Sequence, residues 1–354
     1  MNTHAQLTAL QEIGWQGDLP SRPLARVVAQ HRSGYEIHDG HSVLQAQPAG
    51  PFLKPGLEPE QRPAVGDFVF FQPGKPAEIE AIVPRRSILA RAAAGERYQR
   101  QLIATNIDTV MVMTGLDGDF NPQRIERYLL LVAGSGVQSV VLLTKADTCN
   151  EVSARVAALQ QRLPGDTRVL AINAKSADAV ATLAPWLGPG MTVALVGSSG
   201  AGKSTLTNTL LGEARMDTGA VRQRDSRGRH TTTHRALLKL AGGACLIDTP
   251  GMRELKLTGE ESLGSFADIE ALARQCRFND CAHESEPGCA VRAAIDAGQL
   301  DAARLSNFSK LQDEHRQQAA NRLARLERKA DSTSQANRKR RGSQARQNRH
   351  EDME

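Results

Sequence analysis

Gly197-Ser198-Ser199-Gly200-Ala201-Gly202-Lys203-Ser204 fits the pattern G-x-x-x-x-G-K-[ST]. Such a loop turns successive backbone N–H groups onto phosphate oxygens at the start of a helix. Gly197 and Gly202 let the backbone curl close to the phosphates, Lys203 is expected to bridge the β- and γ-phosphates, and Ser204 to ligate Mg²⁺. Asp248-Thr249-Pro250-Gly251 follows as a D-x-x-G element. There Asp248 would hold Mg²⁺ through water and the Gly251 amide would meet the γ-phosphate. Between the two lies Arg227-Gly228-Arg229-His230-Thr231-Thr232-Thr233-His234, in which one threonine, Thr232 by preference, is expected to ligate Mg²⁺ and sense the γ-phosphate. Lys203, Asp248 and Thr232 are thus the expected catalytic set.

A base reader accompanies the phosphate reader. In Thr144-Lys145-Ala146-Asp147, the Asp147 carboxylate can accept two hydrogen bonds from the N1–H and exocyclic amine of guanine. Adenine offers no such donor pair, and an unpaired buried carboxylate is costly. Lys145 would lie along the base plane. Thr144 stands where asparagine is usual, and its shorter side chain leaves open whether it still ties the motif to the base or to the phosphate loop. Asn173-Ala174-Lys175 sits where Ser-Ala-Lys is usual, with its backbone toward guanine O6. Both base elements precede the phosphate loop, the reverse of the order in most GTPases, so the chain reads as a circularly permuted GTPase. Met252 follows the D-x-x-G element where Ras-like enzymes place a water-orienting glutamine. Methionine cannot polarise water, so intrinsic hydrolysis is expected to be slow, with His230, His234 or a partner completing the site.

A third cluster has different chemistry. Cys276-x4-Cys281-x-His283-x5-Cys289 offers three thiolates and one imidazole. That set suits one tetrahedral, structural Zn²⁺ with no open position. The other two of the five cysteines, Cys149 and Cys245, are isolated among apolar residues and read as core.

The elements that must position these groups are legible as pattern. From Arg22 to Arg91 short apolar runs, Leu24–Val28, Asp67–Phe71 and Ala77–Val83, alternate with Gly- and Pro-containing turns. This predicts a small β-barrel, either an OB-fold or an SH3-like barrel. From about 100 to 258 strands and helices alternate, the signature of a mostly parallel sheet covered on both faces. Strands are expected at 107–114, 137–144, 168–172 and 191–196, and helices at 121–133, 151–163 and 203–211. Each motif then falls at a strand's C-terminal end, where such sheets bind ligands. Residues 259–318 read as helical around the Cys/His knot. The expected domains are an extension at 1–21, a barrel at 22–95, a GTPase domain at 100–258, a zinc domain at 259–318 and a basic tail at 319–354, whose first half could continue a helix and whose remainder is expected to be disordered.

Composition bounds the rest. The chain has 354 residues, of which 40% are hydrophobic and only 4% aromatic, so its cores are aliphatic. The net charge of +5 is concentrated in residues 319–350, with ten Lys or Arg against two acids. Such an arm is suited to nucleic acid. No run approaches a membrane span and no secretory start is evident, so a cytoplasmic protein without membrane contact is expected. No oligomer seam is evident, and a monomer is expected.

Together these motifs resemble the ribosome small-subunit-dependent GTPase A (RsgA/YjeQ) family. The resemblance rests on the permuted motif order, the barrel, the run Gly228–Thr233, Asp248-Thr249-Pro250-Gly251-Met252-Arg253-Glu254, and Cys276-Arg277-Phe278-Asn279-Asp280-Cys281-Ala282-His283 through Cys289. It covers roughly 22–315. It implies an OB-fold, a permuted GTPase domain and a zinc domain, with nucleotide contacts on Thr144–Asp147 and Gly197–Thr205. It also implies GTP hydrolysis stimulated by the 30S subunit, contact with 16S rRNA and a role in late 30S maturation. Two other readings stand beside it: an RNA- or ribosome-binding module whose nucleotide site hydrolyses little, and an ATPase with a degenerate base motif. Intact Lys203, Ser204 and Asp248 oppose the first, and Asp147 opposes the second.

Overall fold

The computed structural model describes residues 3–31, 33–54, 56–92, 100–212, 236–249, 256–261 and 263–351, with backbone only for 3, 263, 329 and 331–351. The chain opens with helix α1 (Thr3–Glu12), followed by β1 (Leu24–Gln30), β2 (Tyr35–His38), β3 (Val43–Pro48), β4 (Phe68–Gln72) and β5 (Ala77–Ile82). The five strands pair in the order β1-β2-β3-β5-β4, β4 returns to β1, and only β3 and β5 run parallel. That closed five-stranded path is the OB-fold and excludes the SH3-like alternative. Ala25, Val27, Ile37, Val69, Phe71 and Ile79 fill the barrel.

A hairpin of β6 (Ile88–Ala92) and β7 (Arg100–Thr105) leads out of the barrel. Its two strands straddle the expected boundary at 95–100, so the barrel meets the next domain through paired backbone. The next elements are β8 (Thr109–Gly115), α2 (Pro122–Ala133), β9 (Gln138–Thr144), α3 (Val152–Arg162), β10 (Arg168–Ala171), α4 (Asp178–Leu183), β11 (Thr192–Gly197), α5 (Lys203–Leu211), β12 (Ala236–Lys239) and β13 (Cys245–Asp248). The sheet order is β10-β9-β8-β11-β13-β12, all parallel except β12. Every residue of β8 is buried, as befits a central parallel strand covered on both faces. Helix α2 begins where its sequence says it should. Asn121 accepts from Arg124 N at 3.0 Å, and Pro122 occupies the first turn, where no N–H is needed.

Beyond the sheet come α6 (Ala267–Ala273), α7 (Ala290–Asp296) and α8 (Ala302–Glu351). The last differs from the expected tail at 319–354 only in its second half, since α8 continues as one helix past the part expected to be helical, to Glu351. Its sequence contains no proline and a single glycine and is rich in Ala, Leu, Arg, Lys, Gln and Glu, all helix formers. Residues 1–21 also hold more than their sequence suggested. Leu10 and Ile13, at and just past the end of α1, are buried against Leu24 and Phe68 of the barrel.

Two buried polar seams join the domains. At the first, the fully buried Arg26 donates to Ile13 O (2.6 Å), Thr192 Oγ1 (2.8 Å), Asn106 O (2.9 Å) and Gly66 O (3.2 Å). One guanidinium therefore ties α1, the barrel and the base of β11. At the second, the buried carboxylate of Glu126 on α2 accepts from Asn307 Nδ2 (2.6 Å), Arg304 Nη1 (2.7 Å) and Arg162 Nε (3.3 Å). Arg304 also reaches Asp268 at 2.8 Å and lies over the Phe266 ring.

Candidate nucleotide site and metal centre

The ends of β8, β9, β11 and β13 converge on one edge of the sheet. The chain reverses its direction of winding between β8 and β11, which is where such sheets accept ligands. The phosphate loop leaves β11 at Gly197 and enters α5 through Gly202, whose φ of 85° is left-handed backbone that favours glycine. Ser199 and Gly200 are exposed, Ala201 is buried, and Ser204 and Thr205 are half-buried on the first turn of α5. Lys203 curls back to donate to Gly197 O (2.8 Å) and Ser198 O (2.6 Å).

Charge at this edge is poised for a nucleotide. Burial lowers Lys203 to about 8, partly opposed by Asp248. Burial raises Asp248 to about 6, partly opposed by Lys203. Asp248 Oδ1 is buried with no hydrogen-bond partner among the described residues. A carboxylate so placed suits a cation, and a buried lysine suits phosphate oxygens. The residues therefore fit Mg²⁺ with a nucleotide triphosphate, with Asp248 and Ser204 available as metal ligands.

Thr144, the departure from the usual asparagine, has a structural answer. Its buried hydroxyl lies 2.8 Å from Ala201 O, so threonine still ties the base motif to the phosphate loop. Lys145 has left-handed backbone (φ 60°), and its ammonium pairs with Asp117. Ala146 and the exposed Asp147 lie in a short 3-10 turn after Lys145. Asn173 Oδ1 accepts from Lys175 N at 3.0 Å, and the Ala174 carbonyl accepts from Thr209 Oγ1 of α5 at 2.7 Å. Three residues here escaped the sequence reading: Thr209, Asp117 and Asp119, the last of which accepts from Ser198 Oγ. Asp117-Gly118-Asp119 reads only as turn chemistry, and nothing in its spacing marks a site. Thr232, Gly251, Met252, His230 and His234 lie outside the described residues.

Away from this edge, Cys276, Cys281, His283 and Cys289 bring four ligand atoms within 4.8 Å of one another. Cys289 Sγ lies 3.4 Å from His283 Nδ1, and Cys276 Sγ lies 3.6 Å from that nitrogen and 3.9 Å from Cys289 Sγ. A tetrahedron with metal–sulfur bonds of about 2.3 Å and a metal–nitrogen bond of about 2.0 Å has edges of about 3.5–3.8 Å. The cluster therefore fits one metal ion. Glu286 organises the intervening loop by accepting from Ala282 N (2.7 Å), Glu284 N (2.9 Å) and Ser285 N (3.0 Å). Backbone N–H groups, its own first, hold its carboxyl down to about 2.

An OB barrel, a P-loop sheet whose base elements precede its phosphate loop, and a helical Cys/His domain define a circularly permuted GTPase. The family model for RsgA GTPase matches residues 82–258. A model for ABC transporters also matches residues 183–349, a span that includes the phosphate loop, the element these two NTPase classes share. The small ribosomal subunit biogenesis GTPase RsgA of Xanthomonas axonopodis pv. citri is 57% identical over 86% of this chain and 85% of its own length. That of Xylella fastidiosa strain M12 is 55% identical over 86% of this chain and 96% of its own. Among solved structures, YjeQ from Thermotoga maritima superposes with a TM-score of 0.59 at 24% identity, covering 82% of this chain and 97% of its own. YloQ, a circularly permuted GTPase, gives 0.56 at 23% over 83% and 95%. This chain belongs to the RsgA GTPase family and is a GTP hydrolase.

Proposed function

We propose that this protein hydrolyses GTP in response to the small ribosomal subunit and acts in late maturation of that particle, in contact with 16S rRNA. The observation that supports this most directly is the 55–57% identity, over 86% of the chain, to proteins named small ribosomal subunit biogenesis GTPases. Thr144–Asp147 and Asn173–Lys175 would bind guanine, Asp147 supplying the choice over adenine. Gly197–Thr205 would hold the phosphates and Lys203 would neutralise charge on the transferred phosphoryl group. Mg²⁺, held by Ser204 and, through water, Asp248, would supply further charge neutralisation when bound. Thr232 and Gly251 would sense the γ-phosphate. Cys276, Cys281, His283 and Cys289 would hold structural Zn²⁺, favoured by the three thiolates and one imidazole at tetrahedral spacing. The barrel, the GTPase domain at 100–258, the zinc domain at 259–318 and the basic arm beyond it would act as a monomer in the cytoplasm. No described helix is long and apolar enough to cross a membrane.

Met252, in the position of the water-orienting glutamine, leaves hydrolysis to be completed from outside that position. The test is GTP turnover by the purified protein alone and with 30S subunits. A rise of about 10²-fold or more is expected, on the scale of partner-supplied catalysis. Turnover that is slow and unchanged by the particle would instead favour a binding module that holds nucleotide. Faster or equal hydrolysis of ATP would overturn the assignment to Asp147.

A further inference from the structure

The segment Gly115–Asn121 connects β8 to α2 and belongs to none of the nucleotide motifs, yet it touches both ends of the nucleotide site. Its first acid, Asp117, pairs with the Lys145 ammonium of the base motif. Its second, Asp119, accepts from Ser198 Oγ of the phosphate loop and from Arg124 Nη1 at 2.6 Å.

The segment's backbone is anchored as well. Leu116 N donates to Thr144 O at 2.9 Å, Asp119 N donates to Asp117 Oδ1 at 3.1 Å, and Asn121 caps α2. Gly115 provides a separate indication that the fold accommodates Asp117 in this pose. A Cβ on Gly115 would come within 2.8 Å of Asp117 Oδ1 and 3.2 Å of its Cγ. Glycine at that position leaves the carboxylate room to fold back toward Lys145.

Electrostatics agree with the geometry. The Lys145 hydrogen bond holds the Asp117 carboxyl below its ordinary value. Burial raises the Asp119 carboxyl, but bonds from Ser198 and Arg124 outweigh it and leave a net lowering. Both acids are therefore anions suited to charge-assisted bonds.

We infer that Asp117 and Asp119 are positioning residues of the GTP site: Asp117 fixes Lys145 where the base must lie, and Asp119 fixes Ser198 and with it the curl of the phosphate loop. This rests on the nucleotide reading proposed above. Lys145 is a long side chain on left-handed backbone, with its own rotamer freedom to lose on binding. Pairing it with Asp117 before the base arrives removes that cost from binding. Ser198 O accepts from Lys203, so a shift of Ser198 displaces the lysine that faces the phosphates. The two acids should therefore affect different steps.

The test is titration of full-length protein with methylanthraniloyl GTP and GDP, together with single-turnover hydrolysis at saturating GTP. Asp117→Ala should weaken both nucleotides about tenfold, the scale of one lost charge-assisted bond, and change the saturated rate less than about twofold. Asp117→Asn keeps an acceptor without the charge and should fall between wild type and alanine. Asp119→Ala should lower the saturated rate about tenfold or more, because small misplacements are costly in a positioned site, and should weaken binding less than about threefold. Thermal melting without nucleotide separates these effects from misfolding, and Asp117→Asn remains informative if the alanine variant does not fold. An unchanged affinity in folded Asp117 variants while Lys145→Ala loses binding would overturn the base arm. An unchanged rate in Asp119→Ala would overturn the phosphate arm. If wild type fails to bind the GTP analogue, or Lys203→Ala binds it equally well, the nucleotide reading itself fails and the inference falls with it.

Discussion

The seams on either side of the GTPase domain are both polar and buried, but they are built from opposite chemistry. At the barrel seam the hydrogen-bond acceptors on Arg26 are neutral, three carbonyls and one hydroxyl. Burial there lowers the guanidinium to about 10, partly opposed by the nearby Cys245, Asp108 and Asp67. At the C-terminal seam Arg304 faces the carboxylates of Glu126 and Asp268, which outweigh its burial and raise its pKa. Asp268 is half-exposed, and further ion pairs ring the periphery. These are Arg127 with Glu314 (2.7 Å), Arg100 with Glu260 (3.1 Å), Arg322 with Glu260 (2.5 Å) and, from α8 to the barrel itself, Arg325 with Glu58 (2.5 Å). The buried bonds of Arg26 to neutral acceptors are little screened by salt and tie the barrel to the sheet, with the Arg86–Asp108 pair at their edge. An ionic seam with exposed edges is screened by salt and can be competed for by other charges, nucleic-acid phosphates among them. Only the exposed edge of the C-terminal seam is open to such competition, because Phe266, Phe308 and Leu311 share one buried apolar cluster with Ile125 and Leu129 of α2. Glu260 places that edge just beyond the D-x-x-G element.

The largest effect expected on this contrast comes from the metal. Chelation should unfold the segment around α6 and α7, since structural zinc supplies about 10 kcal/mol or more of folding energy in small domains. Hydrogen exchange should rise across 267–300 while barrel strands stay protected. Protection unchanged by chelator would mean that packing and the ionic seam suffice. Next in size is Arg26→Met, which strands two carbonyls and a hydroxyl, Gly66 O keeping its bond from Asn106 Nδ2, and should cost about 4 kcal/mol in urea unfolding. A loss under about 1 kcal/mol would show that water can replace the guanidinium there. Arg304→Met should cost slightly less, about 3 kcal/mol. It leaves Glu126 buried but still bonded to Asn307 and Arg162. If it proves costlier than Arg26→Met, the C-terminal seam is the stronger of the two. Smallest is the effect of salt. Raising NaCl from 0.1 to 1 M should loosen the Arg322 and Arg325 pairs by about 1 kcal/mol or less, seen as faster exchange in residues 319–330 with none in β1. Equal loosening of β1 would erase the distinction.

The barrel, the parallel sheet, the helix opened by Asn121-Pro122 and the strand ends bearing each motif were legible because alternation and punctuation are local. Elements with weak local signals were not. Helix α1 is short and gains its order from Leu10 and Ile13 docking on Leu24 and Phe68. Strand β6 is defined by its pairing with β7 across the expected boundary. In the tail, basic composition argued for disorder, yet helix-forming residues and the pairs from Arg322 and Arg325 support α8.

By itself the sequence determined the phosphate loop, the permuted motif order and the four-ligand metal set. Each is a demand for particular residue types at short spacing, met by the local backbone before any packing. Only the tertiary structure decided that Thr144 reaches Ala201, that Asp117 pairs with Lys145, and that Arg26 and Glu126 hold the seams. Such partners are tens to hundreds of positions apart. A buried polar group takes whichever complementary atom the packed fold brings within hydrogen-bond reach, and no spacing rule in the chain encodes that choice.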